Sequence, residues 1–112
     1  MGTLWHTPRC SKSRQALALL EEHGAAVVIR RYLDDAPSEA ELRAVAAALG
    51  LGPRDMIRRG EAAYRELGLK EASDDALFAA MAAHPKLIER PVFLKDGRAA
   101  LGRPPERVLD IL

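Results

Sequence analysis

The spacing of apolar residues changes several times along the chain, and each change predicts an element of secondary structure. The short apolar run Gly2–Trp5 is typical of a buried strand, and apolar residues then recur at helical spacing from Ser11 to a stop signal at Gly24. The β-branched run that begins at Val27 and extends to Leu33 predicts a second strand. A strand, a helix and a strand in this order form a βαβ unit, so the two strands are expected to be parallel.

The middle of the chain, about residues 37–85, shows only helical patterns. Ser38 and Glu41 have the spacing of a capping box, Pro53 suits a first helical position, and Ser73 suits an N-cap. The expected helices run from Ser38 to Gly50, from Pro53 to Gly60, from Tyr64 to Gly68 and from Ser73 to Pro85. This segment is therefore predicted to be an all-helical insert.

The last part of the chain predicts a hairpin followed by a helix. Pro91 precedes the apolar run Val92–Leu94, and the Asp96-Gly97 pair separates that run from Ala99–Leu101, which is a strong hairpin signal. A final helix is expected over Pro104–Leu112. The order of elements predicts an α/β fold in which one domain spans residues 1–112.

Composition and charge limit the classes of function. The chain has 112 residues, of which 48% are hydrophobic, and a formal net charge of +1. Such a balance lacks the basic field of a nucleic-acid binder. No apolar stretch approaches the length of a membrane span, and the N-terminus lacks the basic and apolar regions of a signal peptide. We therefore expect a cytoplasmic monomer with neither a membrane nor a nucleic acid as partner.

The candidate chemistry centres on Cys10, the only cysteine, between the first strand and the first helix. The free N–H groups and positive dipole end of the helix favour thiolate there, and Arg9, Lys12 and Arg14 add positive charge. A lone cysteine is often an inert buried residue, but this context predicts a thiol that reacts with an anion. A single cysteine excludes an internal disulfide and a cysteine-based zinc cluster, so a resolving thiol must come from another molecule. The absence of clustered carboxylates also argues against a metal site.

Several separated motifs resemble one known family. They are His6-x-Pro8-x-Cys10 followed by Ser13-Arg14, then Arg54-Asp55-Met56-Ile57-Arg58 and Tyr64-x-x-Leu67-Gly68-Leu69 in the helical insert, then Ile88-x-Arg90-Pro91, and finally Gly102-Arg103-Pro104-Pro105-Glu106. Over essentially the whole chain they resemble the glutaredoxin-linked arsenate reductase (ArsC) family, in its short form. The order of elements likewise resembles a thioredoxin-like fold, with a four-stranded mixed sheet and a helical insert between its βαβ and ββα halves.

The resemblance implies a reaction and the residues that perform it. Cys10 is then the nucleophile that attacks arsenate, and Arg58, Arg90 and Arg103 hold the oxyanion. Glutathione is the co-substrate that leaves a mixed disulfide on the cysteine, glutaredoxin reduces that disulfide, and no tightly bound cofactor or metal is implied. Arginine suits a tetrahedral oxyanion because a guanidinium group pairs with two oxygens at once. The resemblance also implies a cis peptide bond before Pro91.

Several supporting residues keep two interpretations. His6 is either a base or hydrogen-bond partner of the thiolate, or a cap of the strand. Ser13 either donates a hydrogen bond to the thiolate or caps the helix, and Arg14 either contacts the oxyanion or is a solvated charge of the first turn. Arg59 competes with Arg58, which only the motif register favours.

Two other functions stay open beside arsenate reduction. Ser11-Lys12 stands where better-known members of the family have Gly-Thr, and Thr7 replaces an Asn. The missing glycine is expected to change the shape of the turn after Cys10, which binds the anion in those relatives, and so to weaken the preference for arsenate. One alternative is therefore a monothiol, glutathionylated redox protein with weak arsenate activity. The other is an adaptor that binds RNA polymerase, as the related Spx-type regulators do. Those regulators often carry a Cys-x-x-Cys switch, which Ser13 excludes in this chain.

Overall fold

The structure is a computed structural model that describes residues 1–112, and their contacts group into two units. The first unit combines Met1–Asp35 with Arg90–Leu112, and the second is Ala36–Glu89. The predicted helical insert, about residues 37–85, falls within the second unit. No helix has the length and apolar character that crossing a membrane requires.

The first unit is built on a four-stranded mixed sheet in the order β2-β1-β3-β4. The strands are β1 (Gly2–Trp5), β2 (Val27–Arg30), β3 (Val92–Lys95) and β4 (Arg98–Leu101). β1 runs parallel to β2 and antiparallel to β3, and β3 and β4 form an antiparallel hairpin. The predicted turn residues Asp96 and Gly97 both have positive φ, at 52° and 74°, which suits a two-residue hairpin loop. The predicted sheet and the parallel βαβ pair are confirmed.

One face of this sheet carries the core of the first unit. Leu4 of β1 lies opposite Phe93 of β3, and both side chains are fully buried. Helix α1 (Ser11–Glu22) and a 3₁₀ helix (Pro105–Ile111) supply the remaining core residues, which are Ala16, Leu20, Val108 and Ile111, with Ala100 from β4. Because α1 starts at Ser11, this packing fixes the position of the residues directly before the helix, including Cys10.

One predicted strand boundary in this unit is wrong. The predicted strand extends to Leu33, but β2 ends at Arg30. Tyr32 and Leu33 lie in a turn instead. The Arg31 carbonyl closes this turn by accepting the N–H groups of Asp34 and Asp35. The apolar character of Tyr32 reflects its burial in that turn rather than strand pairing.

The C-terminal helix is a 3₁₀ helix rather than an α-helix. Pro104 and Pro105 lack N–H groups, and the Arg107 N–H reaches the Pro104 carbonyl three residues back, at 3.1 Å. The apolar stripe of this segment is nevertheless buried as expected, since Val108 and Ile111 belong to the core.

The second unit consists of short helices. They are α2 (Glu39–Leu49), α3 (Pro53–Met56), α4 (Ala62–Glu66) and α5 (Asp74–Ala83), with 3₁₀ turns at Leu69–Glu71 and Pro85–Leu87. The predicted capping box is present, because the Ser38 side chain accepts the Glu41 N–H while the Glu41 carboxylate accepts the Ser38 N–H. Ser73 caps α5 through the Ala76 N–H, also as predicted.

The predicted helix from Pro53 to Gly60 is wrong beyond Met56. Ile57 is extended and pairs with Ile88 in an isolated antiparallel bridge. The Glu89 N–H donates to the Met56 carbonyl and the Arg58 N–H to the Leu87 carbonyl, each at 2.7 Å. These bonds replace the helical ones, and they anchor the backbone at Arg58.

Candidate active site

Cys10 occupies the N-cap position of α1, at the end of a tight turn. Its backbone N–H donates to the Thr7 carbonyl at 3.1 Å, which closes a turn with Pro8 at its second position. Its own carbonyl accepts the Arg14 N–H at 3.0 Å and so begins the helix. The side chain is partly exposed, so the thiol is accessible from solvent.

His6 and Ser13 connect this turn to the first turn of α1. His6 Nδ1 and Ser13 Oγ lie 2.6 Å apart, and the same hydroxyl oxygen accepts the Thr7 N–H at 3.2 Å. Ser13 is completely buried, and His6 is only 6% exposed. Burial lowers the pKa of His6, and the nearby positive charges of Arg31 and Arg14 lower it further. His6 is therefore a neutral structural partner of Ser13, and the Ser13 hydroxyl is engaged by the loop.

The Cys10 sulfur lies among groups that favour its thiolate form. Partial burial by itself raises the pKa of the Cys10 thiol. The backbone N–H of Ser13, the positive charge of Arg90 and, to a smaller extent, the backbone N–H of Lys12 lower it. A side-chain hydrogen bond from Arg90 adds to this effect, and the net shift is downward. The Cys10 side chain makes no regular capping hydrogen bond with α1, so these contacts act on the charged form of the sulfur.

The Arg103 side chain lies beside the backbone of Arg90, and the resemblance implies that both residues are oxyanion ligands. The Arg103 guanidinium donates to the Arg90 carbonyl at 3.1 Å. Gly102 permits this approach, because its N–H donates to the Pro91 carbonyl and a Cβ at this position would meet the Pro91 ring at 2.7 Å. The first unit thus brings Arg90 to the Cys10 sulfur and the Arg103 side chain to the Arg90 backbone. The peptide bond before Pro91 is cis, as the resemblance implied, and that before Pro104 is cis as well.

The remaining predicted site residues have mainly structural contacts. Arg14 is exposed and donates to the Pro8 carbonyl at 2.7 Å, which braces the turn before Cys10. Arg58 belongs to the second unit, where it pairs with Glu61 at 3.3 Å and with Glu89 at 3.8 Å. The exposed Arg59 reaches back to the Arg54 carbonyl at 3.4 Å.

Sequence reasoning assigned no role to Thr7, whereas the effect of the Lys12 N–H on Cys10 agrees with the role it gave to the N–H groups at the start of the helix. Thr7 is buried and uses both of its backbone groups to shape the turn, and the Lys12 N–H acts on the Cys10 sulfur. Proline at position 8, the second position of a β-turn, is the signal that indicates this turn. Arg54 had no predicted role beyond its place in a motif. In the structure it stabilises the second unit by donating to Tyr64 Oη and to the carbonyls of Leu69 and Ala72.

Comparison with known proteins places the chain in a family. The model of the ArsC family matches residues 5–111, which is nearly the whole chain. This chain belongs to the ArsC family. Every motif discussed above lies within the matched residues.

Individual members of the ArsC family are similar over their full lengths. The arsenate reductase of Neisseria meningitidis is 47% identical, with 97% of this chain and 96% of the relative covered. That of Haemophilus influenzae is 43% identical, with 97% of both chains covered. Among solved structures, the arsenate reductase from Vibrio cholerae is 53% identical with a TM-score of 0.95, and the match covers 99% of this chain and 97% of that one. The thioredoxin-like fold is thereby confirmed.

For this ArsC family member we expect the pKa of the Cys10 thiol to lie below the ordinary value of about 8.5. Arg90→Gln should raise that pKa, because it removes both a charge and a hydrogen bond from the sulfur. Ultraviolet thiolate absorbance followed against pH measures the shift, with Cys10→Ser as the blank. Arg107→Gln is the matched control, since Arg107 is exposed in the terminal 3₁₀ helix. An unperturbed or raised pKa in the wild type contradicts the expectation.

Proposed function

We propose that this protein reduces arsenate to arsenite, with Cys10 as the nucleophile, arginines as oxyanion ligands, and glutathione and glutaredoxin as the source of electrons. The main observation behind the proposal is that the Arg90 guanidinium hydrogen-bonds to the Cys10 sulfur and that the pKa of the Cys10 thiol is lowered. A thiolate and an arsenate anion repel each other, and a guanidinium group between them offsets that repulsion. The full-length similarity to arsenate reductases of other bacteria supports the choice of oxyanion.

In the first step the Cys10 sulfur attacks arsenic. A sulfur–arsenic bond forms while an arsenic–oxygen bond breaks, the departing hydroxide takes a proton from solvent and leaves as water, and arsenic remains As(V). The backbone N–H groups of Lys12 and Ser13 hold the thiolate before the attack. Arg90 and Arg103 then bind the remaining oxygens, on which negative charge accumulates as the bond forms. The third arginine of the motif, Arg58, is oriented by the carboxylates of Glu61 and Glu89, and we assign it the same role from its motif position.

In the second step the thiol of glutathione attacks the Cys10 sulfur. A disulfide bond forms between glutathione and Cys10 while the sulfur–arsenic bond breaks. The electron pair of the broken bond stays on arsenic and takes it from As(V) to As(III), and the thiol proton goes to an arsenite oxygen. Two sulfurs have then lost the two electrons that arsenic gained. Because Cys10 is the only cysteine, the thiol that reduces this mixed disulfide comes from another molecule, which we take to be glutaredoxin.

A coupled assay tests the proposal as a whole. Purified protein is mixed with arsenate, glutathione, glutaredoxin, glutathione reductase and NADPH, and NADPH consumption is followed together with arsenite formation. We expect sustained NADPH consumption and repeated arsenite formation only when all components are present. Without glutaredoxin the reaction should stop after one arsenite per protein, with Cys10 glutathionylated. Glutathionylation without arsenite formation would support the monothiol redox protein instead. Absence of both, with binding to RNA polymerase that Cys10→Ser retains, would support the adaptor.

A further inference from the structure

Next to the turn that precedes Cys10 lies a pocket to which the reaction above gives no role. Its volume is about 310 Å³, and its lining includes His6, Arg9, Arg31, Leu33 and Asp34. Every lining residue belongs to the first unit. This volume is at the lower end of the range of small-molecule sites, which is about 300–1,000 Å³.

Both walls of the pocket are held in place by the chain itself. One wall is the turn of residues 6–9, which is fixed by the Cys10 N–H on the Thr7 carbonyl and by the Arg14 side chain on the Pro8 carbonyl. The other wall is the turn that follows β2, which the Arg30–Asp35 ion pair at 3.3 Å stabilises. The pocket is therefore preformed, which lowers the entropic cost of binding a ligand.

The charged groups of the pocket have no partner inside the protein. Arg30 is bound to Asp35, but the side chains of Arg9, Arg31 and Asp34 form neither an ion pair nor a hydrogen bond within the chain. The pocket thus presents two guanidinium groups and one carboxylate beside the neutral ring of His6 and the apolar Leu33. A complementary ligand carries two carboxylates, one ammonium group and an uncharged middle.

We propose that this pocket binds glutathione, with Arg9 and Arg31 pairing with its two carboxylates and Asp34 with its ammonium group. The inference rests on the proposed function, because it gives the thiol co-substrate of that reaction a binding site. Glutathione has the required set of charges, with one carboxylate at its glycyl end and a carboxylate with the ammonium group at its glutamyl end. Arginine pairs with a carboxylate in a bidentate manner, which fixes the orientation of the tripeptide.

The pocket is close enough to Cys10 for this role. Arg9 precedes Cys10 directly, so their Cα atoms are about 3.8 Å apart. An extended tripeptide spans about 10 Å, and the thiol of glutathione is at its centre. Charged ends held at the pocket therefore keep the central thiol within a few ångströms of the turn that ends at Cys10, whose sulfur it attacks in the second step.

The test uses S-methylglutathione, which keeps all three charges of glutathione but cannot react. Its titration into the wild-type protein is followed by NMR. We expect saturable shifts at the His6 ring and at the amides of the two turns. Arg31→Ala and Arg9→Ala should each weaken binding about tenfold, since each removes one charge-assisted pair. Arg98→Ala, at an exposed position of β4, is the matched control and should bind as the wild type does.

A second comparison tests the ammonium contact. Acetylation of the ligand's amino group should weaken its binding to the wild type about tenfold. It should not change binding to the Asp34→Asn variant, because that variant has already lost the ion pair between Asp34 and the ammonium group. Absence of saturable binding, shifts confined to other residues, or equal affinity for the Arg9→Ala/Arg31→Ala double variant would each overturn the inference. These measurements need no turnover. A protein that binds the analogue but forms no arsenite would therefore refute the proposed reaction and leave the pocket assignment standing.

Discussion

Cys10→Ser should lower arsenate reduction by about 10³-fold or more, to the level of the reaction without protein. A serine hydroxyl stays protonated at neutral pH, whereas the surroundings of Cys10 favour a thiolate. The backbone N–H groups and Arg90 would still be in place, so the variant isolates the contribution of the nucleophile. The measurement is the rate of arsenite formation with glutathione and glutaredoxin in excess.

Two controls separate this effect from a loss of folding. Gln15→Ala changes an exposed residue of α1 and should keep activity near that of the wild type. Cys10→Ser should unfold at nearly the same denaturant concentration as the wild type, because the partly exposed thiol makes no capping hydrogen bond that serine would lose. Arsenite formation by Cys10→Ser at more than about a tenth of the wild-type rate would remove Cys10 from the mechanism.

The elements whose signals are local were predicted well from the sequence. Ser38 and Glu41 form the capping box that their spacing indicated, and Asp96-Gly97 forms the hairpin turn. Each of these features depends on hydrogen bonds or φ values within about four residues. The same is true of Cys10 at the start of α1, since a helix N-terminus is recognisable from the few residues around it.

Features that depend on distant residues were predicted poorly. The helix that starts at Pro53 ends early because Ile57 pairs with Ile88, which is far away in the sequence. Likewise, the ion pairs of Arg58 include one with Glu89, and no local pattern indicates that contact. Arg90 illustrates both cases, because its motif marked it as a candidate but only the fold brings it to the Cys10 sulfur.

The arrangement around Gly102 shows how the fold positions two of the proposed oxyanion ligands. Pro91 and Gly102 are in contact through a backbone hydrogen bond of 2.9 Å, and β3 and β4 hold the two loops at that distance. Arg90 directly precedes the proline and Arg103 directly follows the glycine. The hairpin therefore sets the separation of the two arginine backbones.

Arg103→Ala should lower kcat for arsenate reduction by about 10²–10³-fold, which is the usual loss when one donor to a developing oxyanion is removed. Arg103→Lys should recover only part of this loss, because an ammonium group cannot reproduce the two parallel hydrogen bonds of a guanidinium fork. Arg103 is exposed and donates to the Arg90 carbonyl, and we expect neither change to unfold the protein. Steady-state kinetics with varied arsenate measures both effects.

Arg107→Ala provides the matched control for Arg103, since it removes the same charge from an exposed position four residues later. Any general effect of lowering the positive charge should appear in both variants, whereas loss of an oxyanion ligand should appear only in Arg103→Ala. The Cys10 pKa of Arg103→Ala should stay close to that of the wild type, because Arg90 supplies the side-chain charge and hydrogen bond that act on the sulfur. A kcat equal to that of Arg107→Ala would show that Arg103 does not bind the oxyanion and would leave Arg90 as the arginine at the thiolate.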